Sequence, residues 1–209
     1  MNSPVHSPQI DVVLLDLGGI IVELGGADRH GILVGTDCVE EIVAIWSSCS
    51  IVQTYESGLL STDEFARGMI ARYGLALKPS EFLSAYCDWV IGPYPGAKDL
   101  VSDIALNVRC ACFSNIGELH WHHQNTTMQI DKMFDTCFLS FKLGLTKPDP
   151  SAFIAVAQEL ECDPARILFL DDSPLNVDGA RLAGFISHKV DGPAETRELL
   201  MSMGLLSKP

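Results

Sequence analysis

Four short, nearly uninterrupted apolar runs mark the chain: VVLLDL at residues 12–17, VRCACF at 108–113, ILFL at 167–170 and FISHKV at 185–190. Their length and β-branched content suit strands buried on both faces, as in a parallel sheet covered by helices on each side. Helical spacing fills the later intervals. Leu100, Val101, Ile104 and Ala105 fall on one face of a helix over 97–106. Asp149-Pro150 predicts an N-cap followed by proline at the first helical position, with the helix running through Leu160. Asn176 to Ala183 predicts another, stopped by Gly184. Strand and helix in alternation give an α/β fold with a doubly wound, mainly parallel sheet.

The pattern changes between residues 25 and 91. Asp37-x-x-Glu40 resembles a capping box, leading to Val39, Ile42, Val43 and Trp46 on one helical face. Ser61-x-x-Glu64 is a second box, followed by Phe65, Met69 and Tyr73 before Gly74. A third helix starts near Pro79 and carries Phe82, Leu83, Tyr86 and Val90 before Gly92. No strand pattern occurs in this block. It reads as a small all-helical cap over 25–91, inserted after the first strand into an α/β core of 1–24 and 92–209. The chain re-enters the core through Gly92-Pro93-Tyr94-Pro95-Gly96, a stiff, turn-rich hinge.

Composition narrows the function classes. The 209 residues are 47% hydrophobic, ample for a real core and too apolar for a disordered chain. Asp and Glu number 27 against 14 Lys and Arg, a net charge of −13 that repels a phosphate backbone and excludes general nucleic-acid binding. An anionic small substrate would need local positive charge from a lysine, helix N-termini or a metal. The seven cysteines form no repeated spacing, and Cys110 and Cys112 fall on one face of a strand as buried thiols. MNSPVHSPQI has neither a basic nor an apolar segment, and the apolar runs are too short for a membrane span, so the expected location is cytoplasmic.

Four polar stretches each place polar residues at the end of a buried apolar strand, where open α/β sheets bind ligands. They are Asp16 with Leu17-Gly18-Gly19, Ser114-Asn115, Lys147 in GLTKPDP, and Asp171-Asp172. Singly, each has a plain structural explanation as a turn residue, a cap or a solvated charge. In this order they resemble the haloacid dehalogenase superfamily. The likeness rests on LLDLGGIIV, FSNIGELH, GLTKPDPSAF and FLDDSPLNVDGARLAG, and on YESGLLSTDEF in the cap block. It is nearest to the small-phosphatase branch with a helical cap, whose members include glucose-1-phosphate phosphatases.

That resemblance implies a Rossmann-like core and a Mg²⁺-dependent phosphatase acting on a small phosphorylated metabolite, a sugar phosphate first. Asp16 would be the nucleophile that forms an aspartyl-phosphate. Ser114, Asn115, Lys147 and the Gly18 backbone would bind the phosphoryl group, with Asn115 alternatively an orienter. Adjacent Asp171 and Asp172 repel each other and call for a cation. Mg²⁺ would be held by Asp16, Asp172 and the Gly18 carbonyl, with Asp171 a further ligand or the partner of Lys147.

The sequence departs from the family at one place. Most of these phosphatases carry an acid/base aspartate two residues after the nucleophile, where this chain has Gly18. Glu23, Asp28 and His30 are polar groups that could stand in. Glycine there also fits a 2-haloacid dehalogenase, or a catalytically weak binding or regulatory protein, and it argues against a beta-phosphoglucomutase. His120, His122 and His123 lack a third ligand at helical spacing and read as a helix surface near the site mouth; the resemblance, in which His120 matches a histidine of the loop after the second motif, implies that His120 faces substrate.

Overall fold

The computed structural model describes residues 9–26, 31–36 and 38–207. Its centre is a five-stranded sheet of β1 (Val12–Leu15), β4 (Arg109–Ser114), β5 (Thr136–Leu139), β6 (Ile167–Asp171) and β7 (Ile186–Lys189), in the order β5-β4-β1-β6-β7. Every neighbouring pair is parallel, with Val12 opposite both Arg109 and Ile167. The chain is thus an α/β protein with helices on both faces of the sheet.

Alternation along the strands explains the two layers. Val13, Leu15, Cys110, Cys112, Leu168 and Leu170 point to one face, where they pack on Leu100, Val101 and Leu200. Val12, Leu14, Ala111, Phe113, Ile167 and Phe169 point to the other, against Ala152, Phe153 and Val156. All four residues of β1 are buried, as a central strand covered on both faces requires. The Asp149 carboxylate accepts from Ser151 N–H at 2.8 Å and caps the helix Pro150–Glu159. The helix after β6 begins at Pro174, two residues earlier than the pattern suggests.

A third cluster lies outside these layers, among α1 (Val39–Ser48), α2 (Ser50–Glu56), α3 (Thr62–Tyr73) and α4 (Pro79–Asp88). Its centre is aromatic: the Tyr55 and Phe65 rings stack at 4.2 Å, and Phe82 and Tyr86 pack beside them. The Ser61–Glu64 box forms with both reciprocal hydrogen bonds, and Gly74 ends α3 at φ 62. At α1 the N-cap is Cys38, whose side chain makes no capping hydrogen bond, and Asp37 lies outside the described residues. Val90 is not helical. It belongs to β3 (Val90–Pro93), which pairs antiparallel with β2 (Val22–Leu24) and carries the chain into and out of the helical block. The strand β5 and the seven-residue α2 also went without a sequence signal.

Candidate active site

The parallel strands end together, and their carboxyl ends carry the polar residues. Asp16 follows β1, and its N–H donates to Leu170 carbonyl at 2.9 Å. Ser114 ends β4 and Asp171 ends β6. Lys147 arrives from the loop before the Pro150–Glu159 helix. Its Nζ donates to Asp16 Oδ1 at 2.7 Å and to Asp171 Oδ2 at 2.6 Å. The ammonium also lies 5.4 Å from the Phe113 ring centre and 5.3 Å from that of Phe169, each from a flanking strand.

Asp171 is fully buried and its oxygens are occupied. Besides Lys147 it accepts from Ser173 N–H at 2.8 Å and from Asn176 Nδ2 at 3.0 Å. Of the two roles open to it, partner of Lys147 is the one its contacts fill. Asn115 acts on the same lysine from the other side. Its Nδ2 donates to the Lys147 carbonyl at 2.8 Å, and its Oδ1 accepts from Lys147 N–H at 2.9 Å. This clasp spends the Asn115 amide on orienting the lysine rather than on a phosphate. Sequence reading missed Asn176, Phe113 and Phe169, although all three stand inside or beside the motifs that led to the site.

Carboxylate oxygens of Asp16, Asp171 and Asp172 lie within 4.8 Å of one another. One ammonium faces three carboxylates, leaving an excess of two negative charges. Burial pushes the Asp16 carboxyl up to about 7, with Lys147 opposing and Asp171 adding to the rise. Asp172 is raised by burial and then by Asp171. Burial alone would lower Lys147, but Asp16 and Asp171 reverse this and hold it protonated. Hard oxygen donors with uncompensated charge fit a divalent cation such as Mg²⁺. The backbone is shaped to match: Gly19 has φ 73, and a Cβ there would come within 2.3 Å of Asp172 Oδ2.

Above the strand ends lies a cavity of about 400 Å³, sized for a small metabolite. Asp16, Gly18, Ser114, Lys147 and Asp172 line its floor. Trp46, Gln53, Glu56 and Trp89 reach it from the helical block and β3 side. His120 and Gln124 come from α5 (Glu118–Met128), which follows β4.

His120 is not on a helix surface. It is buried, stacks on Tyr86 at 3.5 Å and donates from Nε2 to the Tyr86 carbonyl at 2.5 Å. Gln124 Oε1 is the one buried side-chain polar atom without a hydrogen-bond partner among the described residues. Glu56 was not foreseen, although YESGLL was quoted for the cap. Burial pushes its carboxyl up to about 7, against the pull of Lys147 and a hydrogen bond from Trp46. Of the groups proposed to stand in at Gly18, Glu23 sits on β2 away from the cavity lining, and Asp28 and His30 lie outside the described residues.

The chain is similar to known proteins in sequence and in fold. The model of a family described as haloacid dehalogenase-like hydrolase matches residues 10–184. The D-ribitol-5-phosphate phosphatase of Bacteroides thetaiotaomicron is 24% identical over 196 residues, covering 90% of this chain and 95% of that one. A HAD family enzyme of the same organism, crystallised with magnesium and inorganic phosphate, superposes with a TM-score of 0.71 at 23% identity, covering 86% of this chain and 93% of that one. The L-2-haloacid dehalogenase of Xanthobacter autotrophicus superposes at 0.65 with 20% identity, covering 87% and 78%.

Proposed function

The chain belongs to the haloacid dehalogenase-like hydrolases, and from that premise we propose that it removes phosphate from a small phosphomonoester. One observation carries the reading: Asp16, Ser114, Lys147 and Asp172 converge on the floor of a single cavity at the ends of three adjacent parallel strands.

In this mechanism Asp16 attacks phosphorus and forms an aspartyl-phosphate, which water then hydrolyses. Lys147 is fixed between Asp16 and Asp171, so its charge faces the phosphoryl oxygens without any rearrangement. The Ser114 hydroxyl donates to one of those oxygens. Asn115 and Asn176 act at one remove, by holding Lys147 and Asp171. Mg²⁺, held by Asp16, Asp172 and the Gly18 carbonyl, supplies positive charge that offsets the carboxylates and the substrate phosphate.

Sugar and polyol phosphates are the substrate class we favour. Gln124 offers an amide to hydroxyl groups, and its Oε1, without a partner among the described residues, suits a hydroxyl donor. Trp46 and Trp89 supply flat apolar walls. A relative named for D-ribitol 5-phosphate supports the same class. A 2-haloacid dehalogenase shares the fold and tolerates Gly18, but it has no use for the acidic excess around Asp172.

A phosphate-release screen over phosphorylated sugars and polyols, with Mg²⁺ or with chelator, tests the reading. Release should require Mg²⁺, and Asp16→Asn should lower it by at least about 10³-fold while the fold persists. Halide release from a 2-haloacid in chelator, with no phosphate release in Mg²⁺, would replace it with the dehalogenase.

A further inference from the structure

Three carboxylates line the cavity among the described residues: Asp16, Asp172 and Glu56. Asp16 is bound to Lys147, and Asp172 belongs to the acidic cluster. Glu56 stands apart from both and enters from the helical block. The one imidazole in the lining, His120, has Nε2 committed to the Tyr86 carbonyl.

Two contacts with the α/β core bracket Glu56 at the end of α2. On one side, the Tyr55 hydroxyl accepts from Leu119 N–H at 3.1 Å. Its ring lies so close to Gly117 that a Cβ there would come within 2.2 Å of it. On the other side, Gly58 has φ 73, and a Cβ on it would come within 2.2 Å of the Phe141 carbonyl oxygen. Both contacts fix the segment against the core.

We propose that Glu56 is the acid/base of this site, supplied by the helical block in place of the aspartate that Gly18 lacks. Protonated Glu56 gives its proton to the leaving oxygen as that oxygen's bond to phosphorus breaks and the Asp16–phosphorus bond forms. The carboxylate left behind takes a proton from the water that attacks the aspartyl-phosphate. Hydrolysis thereby restores protonated Glu56 and ionised Asp16, and no other reactant is needed. The surroundings suit both halves of the cycle. Burial raises Glu56, Lys147 and the Trp46 hydrogen bond lower it, Asp16 raises it, and Tyr86 is a further titratable group beside it. A carboxyl poised near neutrality can serve as donor and acceptor in turn.

The inference rests on the phosphatase reading, and the two can fail separately. Substituted phenyl phosphates vary leaving-group acidity at nearly constant shape. Wild-type kcat/KM should change little across such a series, whereas Glu56→Gln should lose about 10²–10⁴-fold with the poorest leaving groups and only a few-fold with the best. With the best leaving group, Glu56→Gln should also release a burst of one phenol per enzyme, because hydrolysis of the aspartyl-phosphate lacks its base. Glu56→Asp should recover part of the loss. Parallel dependences in wild type and Glu56→Gln would overturn the inference, since a merely structural defect lowers every substrate alike. Wild-type protein that releases no phosphate from any member refutes the phosphatase reading itself, before any variant is made.

Discussion

Lys147 and Glu56 show how differently a single residue can announce itself. Lys147 follows a short turn, precedes Pro148-Asp149-Pro150 and sits in a motif, so its place in the site was legible in the chain. Asp16 and the Asp171-Asp172 pair were legible too, because acids at the ends of apolar runs invite an explanation. The split between Asp171 and Asp172 was not, since it depends on Asn176 and Ser173 folding back onto one of them. Glu56 looks like an ordinary helix-end acid until tertiary packing half-buries it. Its unusual state has a consequence for stability that needs no substrate. Its folded pKa, about 7, exceeds the ordinary 4.5, so the folded protein holds an extra proton between those values. Stability from this group therefore falls as pH rises from about 4.5 to 7 and stays low above that. Glu56→Gln removes the effect. In urea unfolding, the variant should gain roughly 1–3 kcal/mol over wild type on going from pH 4.5 to pH 8. A gap that does not change with pH would mean an ionised, solvated Glu56.

Elements with strong local signals formed where the sequence places them. The Ser61–Glu64 box and the Gly74 stop bound α3, and Asp149-Pro150 opens its helix, because each feature satisfies backbone groups within a few residues. Elements that depend on distant partners were silent. β2 and β3 have three and four residues, and they pair across the whole helical block. α2 has seven residues and no capping side chain at Cys49, so it is too short to display a helical period. It is held by contacts instead, at Gly117 and at Gly58. Gly117→Ala would drive a methyl into the Tyr55 ring, forcing Tyr55 and α2 away from the core. We expect a loss of about 1–3 kcal/mol, as for other overpacked sites. Because α2 carries Glu56, turnover of phenyl phosphates with poor leaving groups should fall more than turnover of those with good ones. Thermal melts and the phenyl phosphate series together check this. An unchanged melting temperature would show that the seam between block and core is loose.

The whole molecule combines a neutral apolar interior with a strongly negative exterior and a negative site. The parallel sheet was legible at this scale, because four buried runs separated by helices admit few other arrangements. The cavity was not, since it lies between the strand ends and a helical block whose docking no local pattern encodes. Its charge balance yields a test of cation binding that is independent of catalysis. Three carboxylates cluster with one ammonium at and just beneath the cavity floor, so a divalent cation bound there should stabilise the folded state by mass action. At a Mg²⁺ concentration about 100 times its Kd, the gain is about 2.7 kcal/mol, visible as a rise of several degrees in Tm. The net charge of −13 supplies a competing explanation, because any salt relieves repulsion across so acidic a surface. The two differ in form. Site binding saturates with Mg²⁺, persists over NaCl of matched ionic strength and is lost in Asp172→Ala. Diffuse screening grows smoothly with ionic strength, follows NaCl as well as MgCl₂ and ignores that substitution. A Tm rise of equal size in wild type and Asp172→Ala would assign the effect to the surface and leave the acidic cluster without a metal to hold.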